Sequence, residues 1–375
     1  MQTIDLIAKA KRINDEYVIP QASEMDRSSR FDMSLFEILA EAGALGMNIK
    51  KEFGGTQLTP SEMGLLHEEY GAGYLSVENA LTVFCMVSEV LQRSGSEQQK
   101  LKYLNCLATG KRIGAFALTE EVNGSNFSHV KTRLIENNGI YRLTGIKKWI
   151  TLGEIADFFI VFARFNENYA ICIIDENDQG FSRAPIKDTL GLKANMLAEL
   201  RFDECIVPSD RIICTGGIKP KLAIMSALNL ARFTTACGAV GLAKVCCKEA
   251  FNYARNRQCG NENIGEFQLV KKMMTEMHAS TQSAKLICRY AADVMEKQNH
   301  KSLLPILTAK YVASKTAVEV SNKAVQIFAA KGTSNECAIE RLYRDARILE
   351  IVEGTTQIHE ILIGSELMRR EYESV

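Results

Sequence analysis

The sequence feature that most constrains the fold is a set of three long amphipathic segments in the last part of the chain. Apolar residues recur there at helical spacing over roughly 221–257, 265–298 and 303–331. Each segment is more than twice as long as an average globular helix, which has about 11–12 residues. Long helices bury their apolar stripes against one another, so this pattern predicts a helical bundle.

The stretch from residue 113 to 215 has a different sequence pattern, in which short apolar runs are separated by turn residues. The runs 158–163 and 169–174 flank a short polar turn, which is typical of a hairpin of two buried strands. Asn137-Asn138-Gly139 predicts another tight turn. This middle part is therefore predicted to be a β domain.

The first part of the chain reads as helices. Thr59 with Glu62, and Ser96 with Gln99, have the spacing of capping boxes that open helices. The order is thus helices, strands and helices, without the alternation that a parallel sheet requires, and it predicts an α+β fold. We divide the chain into an N-terminal helical domain (1–112), a middle β domain (113–215) and a C-terminal helical domain (216–375).

The amino-acid composition argues against several classes of function. Lys+Arg and Asp+Glu balance at 45 each, so no overall basic field favours nucleic acid. The start of the chain lacks the apolar run of a secretory signal, and no segment reads as a membrane span. The eleven cysteines are scattered and form no C-x-x-C pair, and Cys246 and Cys247 are simply adjacent. This pattern predicts reduced thiols in the cytoplasm. The five histidines have no ligand spacing, so no metal site is predicted.

Three segments stand out as motifs. The first is Phe116-Ala117-Leu118-Thr119-Glu120-Glu121-Val122-Asn123-Gly124-Ser125-Asn126, and the second is Lys148-Trp149-Ile150-Thr151-Leu152-Gly153. The third is Arg344-Asp345-Ala346-Arg347-Ile348-Leu349-Glu350-Ile351-Val352-Glu353-Gly354-Thr355-Thr356-Gln357-Ile358. On their own, the first two could be ordinary strands and turns, and the third a helix, a turn and a second helix capped by Thr355 or Thr356.

Taken together and in this order, these segments resemble the acyl-CoA dehydrogenase family over nearly the whole chain. The third segment matches the family pattern Arg-Asp-Ala-x-x-x-x-Ile-x-Glu-Gly-Thr-x-x-Ile almost position by position. The resemblance implies that family's fold, with an N-terminal helical domain, a barrel-like β domain and a C-terminal four-helix bundle. It also implies that 201–208 is the last strand of the β domain.

The resemblance assigns the catalytic residues. It makes Glu353 the catalytic base and places Arg232, on the first long helix, close to it. Some members of the family carry the base directly before this arginine, where this chain has Ala231, so Glu353 is the one obvious base. Gly238 and Gly241 on the same helix predict close packing.

The resemblance also implies FAD as cofactor. Phe116, the backbone of Leu118 and the Thr119 hydroxyl would face the flavin, with Trp149 packed beside it and the Thr151 hydroxyl donating to it. Glycine and hydroxyl groups suit such a site, because they allow close backbone approach and supply fixed donors. The other predicted cofactor contacts are Gly124 and Ser125 at the pyrophosphate or pantetheine, and Thr355 and Gln357.

A neighbouring subunit would complete this site. In the family, residues equivalent to Arg257, Gln326 and Gly332 serve the FAD of another subunit, which implies a homotetramer or dimer. The chain departs from the family at Glu121 and Asn126, at Gly260-Asn261, and at Ala329-Ala330, where the family usually has two glycines.

The implied reaction is the oxidation of an acyl thioester. A carboxylate removes the α-proton, donors stabilise the carbonyl oxygen, and the β-hydride passes to flavin N5. The reduced flavin would then pass its electrons to an electron-transfer flavoprotein or a similar acceptor.

Three functions stay open. The favoured one is an acyl-carrier-protein dehydrogenase of polyketide or peptide biosynthesis, with Lys219, Lys221, Arg183 and Lys187 as a basic rim for the carrier protein. The second is a catabolic acyl-CoA dehydrogenase. The third is an idle FAD-binding homologue that acts as an assembly subunit.

Overall fold

The computed structural model describes residues 3–297 and 303–369. The N-terminal part is helical, as predicted, and both capping boxes form, at Thr59 with Glu62 and at Ser96 with Gln99. A π-helical segment, Asn14–Val18, joins the first two helices. The helices are α1 (Thr3–Ile13), α2 (Ile19–Ser28), α3 (Ser34–Glu41), α4 (Pro60–Gly73), α5 (Leu75–Ser94) and α6 (Glu97–Ala108).

The middle part is one eight-stranded sheet with the order β6-β7-β3-β2-β4-β5-β8, and β1 pairs with β4 outside this path. The predicted hairpin is present, since β4 and β5 pair from Phe158↔Asp175 to Phe165↔Asn168. The prediction that 201–208 is the last strand is wrong, because β8 follows it and pairs with β5. The strands are β1 (Gly114–Ala117), β2 (Arg133–Asn137), β3 (Ile140–Ile150), β4 (Phe158–Phe165), β5 (Asn168–Asp175), β6 (Phe181–Pro185), β7 (Ala198–Val207) and β8 (Ile212–Thr215).

The C-terminal part contains the three predicted long helices and two shorter ones. The second long helix begins three residues later than predicted, and its predicted end at 298 lies outside the described residues. The third ends at Phe328, where a 3-10 helix begins. The helices are α7 (Lys219–Asn256), α8 (Gln268–Glu296), α9 (Leu303–Phe328), α10 (Ile339–Leu349) and α11 (Thr356–Arg369), with a small hairpin of β9 (Gln258–Cys259) and β10 (Glu262–Asn263) after α7. The α+β class is confirmed.

Helix α7 connects the N-terminal helices to the bundle, since it packs against α4 and α5 as well as against α8 and α9. Its glycines permit this, as predicted. A Cβ on Gly238 would lie 2.5 Å from the Glu78 carboxyl carbon, and one on Gly241 would lie 2.0 Å from the Glu68 carbonyl oxygen. Cys246 and Cys247 are buried on the same helix.

The same helix corrects one expectation from the sequence. Within the described ranges, α7 is the one helix that is long and apolar enough to cross a membrane by length and composition. However, 89% of its most apolar window is buried inside the protein. Packing in the bundle therefore accounts for its apolar character.

Candidate active site

The turn between α10 and α11 places Glu353 beside α7 and α9. Glu353 and Gly354 both have positive φ, at 56° and 98°, which reverses the chain within two residues. The left-handed region is unfavourable for a side chain such as glutamate, so the surroundings must hold it there. Thr355 Oγ1 accepts a hydrogen bond from the Ile358 N–H at 3.3 Å and caps α11, as one of the sequence alternatives predicted.

Three side chains from three different helices hold this turn by its successive carbonyl groups. Arg232 Nε, on α7, donates to the Glu353 carbonyl oxygen at 3.2 Å. Lys310 Nζ, on α9, donates to the Gly354 carbonyl oxygen at 2.8 Å. His359 Nδ1, on α11, donates to the Thr355 carbonyl oxygen at 3.0 Å. All three side chains belong to buried residues, so the turn is fixed from several sides.

The electrostatics of the turn suit a base that works near neutral pH. Burial raises the pKa of Glu353 from 4.5 to about 7, against the opposing effect of Arg232 and Lys310. Burial also lowers the pKa of Lys310 to about 8 and that of His359 to about 4. A general base is most effective when its pKa lies near the working pH.

The first two motif segments lie side by side in the β domain. The Lys148 N–H donates to the Thr119 carbonyl oxygen at 2.9 Å, and Lys147 Nζ donates to the Leu118 carbonyl oxygen at 2.8 Å. Phe116 lies on β1, and Leu118 and Thr119 follow it directly, half-buried. The structure therefore places three of the predicted flavin contacts beside β3, which carries Trp149 and is followed directly by Thr151.

Trp149 and Thr151 lie where β3 becomes irregular. Trp149 has a φ of 63° and is 50% exposed, and the pairing of β3 with β7 is irregular between Lys147 and Ile150. Thr151 follows the strand in a turn and is half-buried. Trp149 is therefore not a core residue, because its side chain is half open to solvent.

A buried ion pair lies beneath this region. Lys147 Nζ is 3.0 Å from Glu120 Oε1, and both side chains are almost completely buried. The same carboxylate accepts hydrogen bonds from the N–H and hydroxyl groups of Thr132 at 2.9 and 2.7 Å. Burial lowers the pKa of Lys147 to about 8, although Glu120 opposes this. The pair ties the start of the first motif loop to β3.

Gly124 and Ser125 lie in an exposed part of that loop. A Cβ on Gly124 would have only the Thr119 methyl group nearby, at 4.0 Å, so this backbone is open to a ligand. Asn126, where the family has aspartate, accepts a hydrogen bond from the Ser128 N–H at 3.1 Å. The substitution therefore keeps a local acceptor in place.

The residues predicted to serve a neighbouring subunit lie in the bundle. Arg257 directly follows α7 and Gln326 lies on α9, and both are exposed, whereas Gly332 is buried. Gly260 and Asn261 form the two-residue turn between β9 and β10, with Gly260 at a φ of 64°. The departure after Arg257 is thus a tight hairpin. Gln357, on α11, is exposed as well.

The donor set fits a flavin cofactor. An open aromatic ring (Trp149), two half-buried hydroxyl groups (Thr119 and Thr151) and an accessible glycine backbone at Gly124 lie on two hydrogen-bonded segments of one domain. A planar ring system with a polar edge and a phosphate tail needs contacts of these kinds.

Sequence reasoning missed three residues of this region: Lys147, Lys310 and His359. A lysine among the apolar residues of α9 was a signal for Lys310, since Leu307, Ala309 and Ala313 around it are all buried. Buried lysines are rare unless they have partners. Nothing in the local sequence identified those partners.

Comparisons with known proteins agree with this geometry. The C-terminal, N-terminal and middle domains of acyl-CoA dehydrogenase match residues 222–368, 3–111 and 115–205, respectively. The short-chain specific acyl-CoA dehydrogenase of Clostridium acetobutylicum is 31% identical over 94% of this chain and 94% of its own length.

Two solved structures share this fold over nearly the whole chain. The prolyl acyl carrier protein oxidase AnaB has a TM-score of 0.93 and 25% identity, over 98% of both chains. FkbI, for biosynthesis of a methoxymalonyl extender unit of a polyketide, has a TM-score of 0.89 and 25% identity, over 96% of this chain and 99% of its own. The sequence relationship and the shared fold show that this chain belongs to the acyl-CoA dehydrogenase family, whose members oxidise acyl-CoA with FAD.

Proposed function

We propose that this protein dehydrogenates an acyl thioester and that Glu353 is the base that removes the α-proton. The observation that carries the proposal is the Glu353 turn. Burial raises the pKa of this carboxyl to about 7, and three buried side chains fix the backbone on which it is mounted. A carboxylate that is both desolvated and rigidly held is suited to abstract a weakly acidic proton.

The surrounding residues would support this step. Within the described residues, no backbone hydrogen bond uses the Glu353 N–H, which leaves it as a donor for the thioester carbonyl oxygen. Arg232 and Lys310 keep two positive charges beside the base and favour its ionised form. Developing negative charge on the thioester would benefit from the same cations.

FAD, when bound, supplies the acceptor for the hydride. The residues that would hold it are the motif residues of the β domain, together with Thr355 and Gln357 next to the base. Arg257, Gln326 and Gly332 would serve the cofactor of a neighbouring subunit, so the proposal includes a dimer or tetramer. An electron-transfer flavoprotein or a similar protein would reoxidise the enzyme.

We favour an acyl group carried on a carrier protein, as part of secondary metabolism in the cytoplasm. The similarity to AnaB and FkbI supports this choice. The predicted basic rim supports it less, because Arg183 pairs with Glu176 at 2.8 Å and Lys187 pairs with Glu154 at 2.6 Å. Lys219 and Lys221 are left as the candidates for the rim.

A catabolic acyl-CoA dehydrogenase is the second candidate, and the relative from Clostridium acetobutylicum favours it. The third possibility is an idle assembly subunit. It does not explain why Glu353 is held so firmly in a left-handed backbone conformation that is unfavourable for glutamate. A purified protein that binds FAD but is bleached by no thioester would support the idle homologue.

The test compares matched acyl-carrier-protein and acyl-CoA substrates by single-turnover bleaching of the flavin. We expect faster bleaching by the carrier-bound substrate. Equal or faster bleaching by acyl-CoA would favour the catabolic enzyme and remove the carrier-protein proposal, while leaving the role of Glu353 intact.

A further inference from the structure

A second buried carboxylate lies behind the proposed base. Glu78, on α5, accepts hydrogen bonds at Oε1 from His67 Nδ1 at 2.8 Å and from the Thr82 hydroxyl at 2.9 Å. Its other oxygen, Oε2, is buried and has no partner among the described residues. The charge of Glu78 is close enough to Glu353 to raise the pKa of that carboxyl.

Helix α7 links this cluster to the base. The Thr82 hydroxyl lies 2.8 Å from the Thr234 hydroxyl on α7, and a Cβ on Gly238 would lie 2.7 Å from Glu78 Oε2. Arg232, which binds the Glu353 carbonyl group, is six residues before Gly238 and thus about 9 Å away along the helix axis. We call Glu78, His67, Thr82 and Thr234 the polar floor.

The polar floor differs from the other buried acidic site on the same helices. Glu68, on α4, is also buried, but Lys244 and Lys285 lie 2.5 and 3.0 Å from its Oε1. No lysine or arginine of the described chain forms such a pair with Glu78, whose Oε1 instead accepts from His67 and Thr82. Glu68 is thus paired with lysines of two other helices, whereas Glu78 Oε2 has no hydrogen-bond partner among the described residues.

A buried carboxylate oxygen without a donor is costly, because it loses its hydration and gains nothing in return. A ligand that brings a donor to this point would recover that cost. An aliphatic end would leave the oxygen unpaired, and an anionic end would be repelled.

On the basis of the proposed function, we propose that the polar floor is the far end of the acyl site and selects an acyl group that ends in a hydroxyl or ammonium donor. The thioester would lie at Glu353 and the distal donor at Glu78 Oε2. This proposal concerns the substrate class and is independent of whether CoA or a carrier protein holds the acyl group.

The experiment measures single-turnover flavin bleaching by four six-carbon thioesters on the same pantetheine: hexanoyl, 6-hydroxyhexanoyl, 6-aminohexanoyl and adipoyl. We expect the hydroxyl and ammonium substrates to react about 10- to 100-fold faster than hexanoyl at limiting concentration, because a hydrogen bond to a charged group is worth that much. Adipoyl should be the slowest. These ratios need only the wild-type protein.

Two variants sharpen the result. Glu78→Gln should lower the rate ratio of 6-aminohexanoyl to hexanoyl by tenfold or more and should raise the relative rate of adipoyl. Glu68→Gln changes a carboxylate that is also buried but is paired with two lysines, and it should leave all the ratios unchanged.

A wild-type preference for hexanoyl or adipoyl would overturn the proposal, as would unchanged ratios in Glu78→Gln. Failure of the proposed function has a different signature, since no thioester would bleach the wild-type flavin at all.

Discussion

The turn at Glu353-Gly354-Thr355 is held by an arginine, a lysine and a histidine from three different helices, whereas the loop around Gly124 and Ser125 is exposed and held mainly by its own neighbours. Both carry motifs of the same family. If Glu353 is the base that we propose, it must keep its position to within a fraction of an ångström, and residues from several helices hold its turn. A loop that lies along a cofactor can obtain part of its order from the cofactor itself.

The largest expected effect comes from the base. Glu353→Gln should retain FAD but slow flavin reduction by about 10²- to 10⁴-fold, because the α-proton loses its acceptor. Stopped-flow bleaching checks this, with the flavin absorbance per protein as the control for cofactor content. Normal bleaching in the variant would move the base to another residue, with Glu350 as the first to examine.

The buried ion pair between Lys147 and Glu120, at the start of the first motif loop, gives the next effect. Lys147→Met should lower the free energy of unfolding by about 3–5 kcal/mol, because it leaves the Glu120 carboxylate buried without its cation. Loss of the contact to Leu118 should also weaken FAD retention. Denaturant unfolding and flavin release measure the two effects. Lys148→Met, which removes a more exposed pair with Glu121, should cost less than about 1 kcal/mol.

Loss of one of the side chains that hold the Glu353 turn should reduce activity less than loss of Glu353 itself. Lys310→Met removes the donor to the Gly354 carbonyl group and should slow flavin reduction by about 10- to 100-fold. Since Lys310 lowers the pKa of Glu353, its removal should also move the pH profile of the rate to higher pH. Lys315→Met is the matched control, since Lys315 lies on the same helix and its ammonium group contacts Tyr311. A profile that shifts equally in both variants would contradict this role.

The exposed loop should be the most tolerant. Asn126→Asp restores the residue that the family has at this position and keeps the acceptor for the Ser128 N–H. We expect the dissociation constant of FAD to change by less than about threefold, as for most surface substitutions. A tenfold change, measured by fluorescence titration, would show that the loop is as tightly constrained as the Glu353 turn.

The contrast between the two regions also explains which features of the fold and the site could be predicted from the sequence. The order of helices and strands, the two capping boxes and the β4–β5 hairpin depend on local patterns, and all were predictable. Glu353 and Thr355 were assigned to the site because their neighbours form a recognisable motif. Strand β8 was missed because it is only four residues long.

The partners of the turn could not be predicted in this way. Arg232 was placed near the base only through the resemblance, and Lys310 and His359 were not identified at all. Arg232 and Lys310 bind backbone carbonyl groups 121 and 44 residues away in the chain. Every residue has a backbone carbonyl group, so a sequence motif cannot indicate which side chain donates to it. Such contacts depend on how α7, α9 and α11 pack.

The most direct test of the central claim is the pH dependence of flavin reduction in a single turnover of the wild-type protein. A base whose folded pKa is about 7 should give a rate that is low at pH 5, rises through an inflection near pH 7 and levels off above pH 8. Glu353→Gln should show no such inflection. An inflection near 4.5, the ordinary pKa of glutamate, would show that the carboxyl is not desolvated and would contradict the account.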